Sequence, residues 1–231
     1  MDAKRGYVPK DERDFSLEAV EKMRKASRHV CYLINEGYDL KSASTFVGNH
    51  YAISERQRLA LVRSVATEEQ LLNRKGKEKA SVCGEEVWVD GFNTIITLEV
   101  MLSDSLLFDC MDGTIRDLAA LRGTYRIISQ TEEAVGILLG ELAKMKISAL
   151  NILLDQPVSN SGRLKALIAD LCKDSPFSLD IQLLKDVDRT LWQKSNVITS
   201  DSIILDHCTS WVNFIKPCAE NRAAKTLRVW K

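Results

Sequence analysis

The chain has 231 residues, 45% of them hydrophobic and 28% charged, and its 32 Lys and Arg balance 32 Asp and Glu to a formal net charge of zero. That composition suits a globular protein with one moderate domain and a small appendage, and it excludes the global basic field that announces nucleic acid or an anionic membrane, while leaving room for a local patch. The six cysteines (Cys31, Cys83, Cys110, Cys172, Cys208, Cys218) lack any C-x-x-C pair, and apolar stretches such as Leu150–Leu154 are far too short to cross a bilayer. A disulfide framework, a zinc ribbon and membrane insertion are thereby disfavoured, and a cytoplasmic protein is expected.

Residues 1–15 are charged and carry Pro9, the composition of an arm that orders only by docking. From Ser16, the residues Leu17, Val20, Met23, Ala26, Val30, Leu33 and Ile34 recur at helical spacing up to Gly37, predicting an amphipathic helix. Asp39 is placed to cap a second helix over LKSASTFVG, and Ser54 with Gln57 forms a capping box for a third over ERQRLALVRSVA. Arg56, Arg58 and Arg63 on that third helix give a weak helix-turn-helix signature, set against the commoner reading of a solvated charged face. LLNRKGKEKASVCGEE is basic, contains two glycines and has no periodicity, so it reads as a linker. The expected organisation is a helical unit over 1–72, a linker over 73–84 and an α/β domain over 85–231.

In the α/β domain strand and helix signals alternate. EVWVDGF predicts a strand ending at Asp90, followed by helices over NTIITLEVMLS, RDLAALRGTY and TEEAVGILLGELAKM; ALNILLD is a strand, SGRLKALIADLCK a helix, FSLDIQLLKD a strand, and NVITSD a strand leading into a helix over SIILDHCTSWVNFI. Near-continuous apolar strands in this order predict an α/β fold, with a parallel sheet covered by helices on both faces and all strand C-termini along one edge.

Ligands of such sheets bind outside the carboxyl ends of the strands, and here those ends are acidic: Asp90, Asp155, Asp186, Asp188 and Asp201, with Asp206 five residues further on. Singly, each suits a turn or helix cap: Asp188 ahead of DRTLWQK, Asp155 before Gln156-Pro157, and Asp206 as a solvated helix residue. Jointly, carboxylates that converge without basic partners repel unless a hard cation neutralises them, which points to Mg²⁺ or Mn²⁺ and to phosphodiester hydrolysis. In QPVSNSGR, the residues Ser159, Asn160, Ser161 and Gly162 precede a helix with Arg163 beside them, an arrangement that suits either an anion or an ordinary cap; no P-loop is present. Arg116, Arg122 and Arg126 with Tyr125 offer phosphate contacts and base stacking, although Arg116 and Arg122 fall on different sides of one helix, and Asp117 is either a ligand or an ion-pair partner. Isolated His29, His50 and His207 support neither a zinc site nor a catalytic triad, Phe92 replaces the second acid of a haloacid-dehalogenase motif, and Trp88 and Trp211 are expected in the core.

VDGFN at 89–93 resembles the opening motif of the NYN branch of PIN-like nucleases, and VITSDSIILD at 197–206 resembles their late strand with its Ser/Thr-x-Asp and following acid. The whole chain resembles a prokaryotic family of domain-of-unknown-function type (DUF 434), in which a helical N-terminal region precedes such a domain; the matched residues are VDGFN, RDLAALRGTYR, LLDQPVSNSGRL and TSDSIILD. The PIN-like resemblance implies a three-layer α/β/α fold, a homodimer, and metal-dependent cleavage of RNA. It matches Asp90 to the first acid, Asp201 and Asp206 to the late acids, and Asn93 to the residue that orients the first. Asp155, Asp186 and Asp188 compete for the middle acid. The expectation is thus a metal-dependent ribonuclease with Asp90, Asp155, Asp201 and Asp206 catalytic and Asp188 added as a ligand. Asn93, Ser159, Asn160, Ser161, Arg163, Ser200, Arg116 and Arg126 are expected to contact substrate. The alternatives are a non-catalytic RNA- or nucleotide-binding module and a phosphatase acting on small phosphates.

Overall fold

Short polar side chains start the N-terminal helices of this computed structural model, which describes residues 4–119 and 123–231. After a single turn, α1 (Asp11–Asp14), the chain enters α2 (Leu17–Asn35) behind Ser16, whose Oγ accepts the Ala19 N–H, and α3 (Leu40–His50) behind Asp39, which accepts the Ser42 N–H at 2.9 Å. Reciprocal capping boxes open the next two helices, Ser54 with Gln57 for α4 (Glu55–Ser64) and Thr67 with Gln70 for α5 (Glu68–Lys77). The first five residues of the expected linker are therefore helical: residues 73–77 belong to α5, where Arg74 is buried. The arm at the N-terminus does dock. Arg5 Nε donates to Glu99 at 2.8 Å and its guanidinium lies 4.9 Å from the Tyr125 ring centroid, while Arg56 pairs with Asp11.

A four-stranded parallel sheet in the order β5-β4-β1-β6 forms the centre: β1 (Glu86–Asp90), β4 (Ala149–Asp155), β5 (Ser178–Leu184) and β6 (Val197–Ile198). Alternation along the strands gives it two buried faces. Val87, Val89, Leu150, Ile152 and Leu154 pack on α6 (Gly91–Leu102), α7 (Thr131–Lys144), α8 (Ser161–Leu171) and α11 (Ile215–Asn221). Leu153 and Val197 face the other way, onto α9 (Val187–Leu191), α10 (Ser202–His207) and Trp211. The result is the α/β three-layer arrangement expected. β5 is an open edge, where Lys165 Nζ of α8 donates to the Ile181 carbonyl at 2.7 Å; β6 is covered by Trp211, which bridges Val197.

A second sheet in the order β3-β2-β7 was not foreseen: β2 (Leu107–Asp109), β3 (Ile115–Arg116) and β7 (Thr226–Leu227) are too short to carry a period. Phe108, Cys110, Leu118 and Val229 at this sheet share a core with Met23 of α2 and Ala60 of α4, so the helical unit is fused to the α/β part through side chains. Two expected helices are corrected. RDLAALRGTY starts with Arg116 in β3 and is irregular over its other described residues because Asp117 turns the chain, accepting the Ala119 N–H at 2.7 Å; Arg122 lies outside the described residues. SIILDHCTSWVNFI is helical only to His207, after which the chain runs beside β6. Trp211 is core as expected, whereas Trp88 is only half-buried, under Lys194 Nζ at 3.8 Å. Among the described residues no helix is long and apolar enough to cross a membrane.

Candidate functional site

β1 passes into α6 without a loop, which is possible because residue 91 is glycine: a Cβ there would lie 2.6 Å from Leu154 Cδ2 and 2.9 Å from the Leu153 carbonyl oxygen. That tight junction sets Asp90 at the carboxyl edge of the sheet, as the residue preceding α6. Thr199, just past β6, donates its hydroxyl to Asp90 Oδ2 at 2.9 Å. Asn93, in the first turn of α6, accepts the Ser200 N–H at 2.8 Å and the Ser200 hydroxyl at 3.0 Å. Asn93 therefore orients the turn that carries Thr199 and Asp201, and acts on Asp90 through Thr199. Asp201 caps α10, its Oδ1 accepting the Ile203 N–H at 2.8 Å and the Ile204 N–H at 3.3 Å, while its Oδ2 takes no hydrogen bond among the described residues.

These residues border a cleft of about 460 Å³ lined by Asp90, Asp155, Asp188, Asp201, Ser200 and Arg63, among others. Burial, reinforced by the charges of Asp201, Asp188 and Asp155, pushes the Asp90 carboxyl up to about 8 against the lowering effect of the Thr199 bond. Burial also raises Asp155, with Asp186 adding to the effect, and Asp188, with Asp201, Asp155 and Asp186 adding. Among the described residues, no cation is a leading cause of any of these three shifts. The acids surround the cleft without closing on a single point: among the described residues, no three Asp, Glu, His or Cys groups already stand at metal-holding spacing.

Of the middle acids, Asp155 and Asp188 line the cleft. Asp186 is exposed, accepts the Arg189 N–H at 3.1 Å and caps α9, the role the sequence had offered to Asp188. Asp206 is a correction. Five residues past Asp201 on a helix, it is rotated by about 140° from it. It faces α5, where Arg74 Nε donates to it at 2.7 Å and Gln70 Nε2 at 3.1 Å. Arg74 also pairs with Asp112 at 2.7 Å.

The expected substrate-binding residues divide similarly. Ser159 and Asn160 hold the Tyr125 backbone: Tyr125 N–H donates to Ser159 Oγ at 2.9 Å, and Asn160 Nδ2 donates to the Tyr125 carbonyl at 2.7 Å. Ser161 is buried at the start of α8, Arg163 is exposed there, and neither lines the cleft. Arg126 is exposed on its own loop. Arg116 does line the cleft, but its donors are committed to the Ser200 carbonyl at 2.6 Å, the Arg63 carbonyl and Asp112. Asp117 proves to be an ion-pair partner, 3.8 Å from Arg63 Nη1, and also accepts from Thr97. Sequence reasoning missed Thr199 and did not place Arg63 at the cleft. The first was within view in the T-S-D run; the second was singled out only in a weak helix-turn-helix signature, apart from the acids. His207 stacks on Trp192 with ring centroids 4.3 Å apart and makes no part of the cleft.

Comparison with known proteins gives two family matches. The model described as Domain of unknown function (DUF5616) matches residues 79–217, and that described as Protein of unknown function (DUF434) matches residues 22–77. An uncharacterized protein of Methanocaldococcus jannaschii is 34% identical over 185 residues, covering 79% of this chain and 88% of its own length. No solved structure matches the chain. The seam between the two family matches falls at the end of α5.

Proposed function

The chain belongs to the family of the Domain of unknown function (DUF5616), and from that starting point we propose that its acidic cleft is a divalent-metal site hydrolysing the phosphodiester bonds of RNA, in the manner of PIN-like nucleases of the NYN branch. The observation that carries the reading is the set Asp90, Asp155, Asp188 and Asp201. Four carboxylates from separate element ends line one cleft, where burial and neighbouring acids raise Asp90, Asp155 and Asp188. All are hard oxygen donors, the chemistry that suits Mg²⁺ or Mn²⁺. Bound there, such an ion supplies Lewis-acid polarisation of a phosphoryl oxygen and a more acidic water.

The residues divide the remaining work. Asp90, whose carboxyl burial pushes up to about 8, would be held by a bound cation in place of its proton. Asp201 Oδ1 is fixed by its helix and its Oδ2 is left for the cleft. Asn93 and Thr199 lock the turn between them. Asp155 is half-buried and Asp188 exposed, so both have room to turn inward and complete the ligand set.

Changing Asp90→Asn and Asp201→Asn separately tests the reading by calorimetric Mn²⁺ titration and by RNA cleavage. At least tenfold weaker Mn²⁺ binding and loss of cleavage are expected in each. Unchanged Mn²⁺ binding in both variants overturns the metal site. A second reading, a non-catalytic RNA- or nucleotide-binding module on the same cleft, is favoured by the open spacing of the carboxylates. It is distinguished by RNA that binds equally well with chelator present and is never shortened.

A further inference from the structure

We propose that Arg63, carried by the helical unit, is the phosphate-binding cation of the acidic cleft, so that the site is a composite of the DUF434 and DUF5616 parts of the chain. The inference rests on the phosphodiester reading of the cleft and deepens it. A cleft lined by carboxylates repels a polyanion unless a cation of its own grips the phosphate beside the reacting one. Among the described residues two guanidinium groups line it, those of Arg63 and Arg116. Arg116 is unavailable to a ligand, with Nε, Nη1 and Nη2 each bonded to the protein and its residue only 7% exposed.

Arg63 differs in each respect. Its side chain is 33% exposed, its Nη1 donates to the Asp117 carbonyl oxygen, and its Nε and Nη2 make no bond among the described residues. Asp117 occupies none of these donors: its two carboxylate oxygens accept from Ala119 N–H and Thr97 Oγ1, each at 2.7 Å, and Arg63, 3.8 Å away, acts on it through charge and not through a hydrogen bond. Two donors of a planar fork are thus open in a cleft, the geometry that takes two oxygens of a phosphodiester. The placement is also fixed. Arg116 donates to the backbone carbonyl of Arg63 and to that of Ser200, which binds the last turn of α4 to the turn that carries Asp201. The same guanidinium therefore sets the spacing between the phosphate grip and the carboxylates.

The test uses the full chain, a labelled short single-stranded oligoribonucleotide read by anisotropy in Ca²⁺ buffer, and Mn²⁺ titration of the same samples. Arg63→Met keeps the stem and the carbonyl bond to Arg116. It is expected to weaken oligonucleotide binding roughly tenfold and to lower the salt slope of log K by about one, with Mn²⁺ affinity within about twofold of the parent. Arg63→Lys, which keeps the charge without the fork, is expected to recover part of the binding, and it serves as the deciding variant if Arg63→Met unfolds. Unchanged oligonucleotide affinity in Arg63→Met overturns the inference. So does a parent that binds no oligonucleotide, or a loss of Mn²⁺ binding equal to the loss of oligonucleotide. Failure of the nuclease reading has a different signature: Asp90→Asn retains Mn²⁺ binding and no RNA is cut, while the dependence of binding on Arg63 persists.

Discussion

Asp90 keeps its proton to about pH 8 because the protein surrounds it with apolar neighbours and three acids, and leaves it a single hydroxyl donor. Its folded pKa lies above the ordinary aspartate value of 3.8. The stability it contributes is therefore fully present below about pH 4 and is lost progressively as pH rises towards 8. Asn stays neutral and still accepts from Thr199. In metal-free buffer Asp90→Asn should be more stable than the parent at pH 8, by roughly 5 kcal/mol if the whole shift is expressed, and should unfold at a higher temperature, with the difference vanishing near pH 4. A parent whose melting temperature ignores pH over that window contradicts the burial argument. Asp206 makes the opposite case: Asp206→Asn removes the charge that pairs with Arg74, whose side chain is 2% exposed, and should cost about 3 kcal/mol of stability while leaving Mn²⁺ binding within about twofold. At this scale the sequence located the edge, since Asp90, Asp155, Asp188 and Asp201 all reach the cleft. It misplaced Asp206 because a five-residue step on a helix reverses the face, and it could not tell which loop residues hold the backbone. Ser159 and Asn160 have the composition of an anion nest and serve instead to tie down Tyr125.

The elements that matter for the site are held by close approach. Gly91→Ala places a methyl group against Leu154, Ile152 and the Leu153 carbonyl oxygen, and because backbone cannot give way it should lower stability by about 2–3 kcal/mol in denaturant titration. A variant as stable as the parent would show that α6 can lift from β4. Long periodic helices and apolar strands were readable because each carries its own pattern: α2, α6, α7, α8, β4 and β5 fall where the sequence put them. The misreadings have physical causes. Over the described residues 117–119 of RDLAALRGTY the helix formers are overridden by Asp117, whose carboxylate takes the Ala119 N–H that a helix would have used otherwise. In α5 the Thr67–Gln70 box starts a helix whose basic surface hides one buried arginine, so the segment looked like a solvated linker.

Across the whole molecule, the two family matches meet in shared cores rather than through a tether. Met23 and Ala60 pack with Phe108, Leu118 and Val229, and Arg74 of α5 joins Asp112 and Asp206. Calorimetry should accordingly give one unfolding transition for the full chain, with the van't Hoff and calorimetric enthalpies equal. Two resolved transitions would mean that these contacts do not couple the units. This fusion was not readable from the sequence, because it depends on contacts between residues far apart in the chain and on a second sheet whose strands span two or three residues.

Among the described residues the parallel sheet also ends in a strand, β5, that pairs with no further strand on its outer side, the place where a partly unfolded copy could add itself on. Lys165 meets that hazard with its ammonium on the Ile181 carbonyl, occupying an acceptor that an incoming strand would need and putting a charge in its path. The residue is thus a guard against fibre growth and has no part in the cleft. Lys165→Ala should bind Mn²⁺ as the parent does and yet scatter light sooner on heating; identical scattering curves would remove this role.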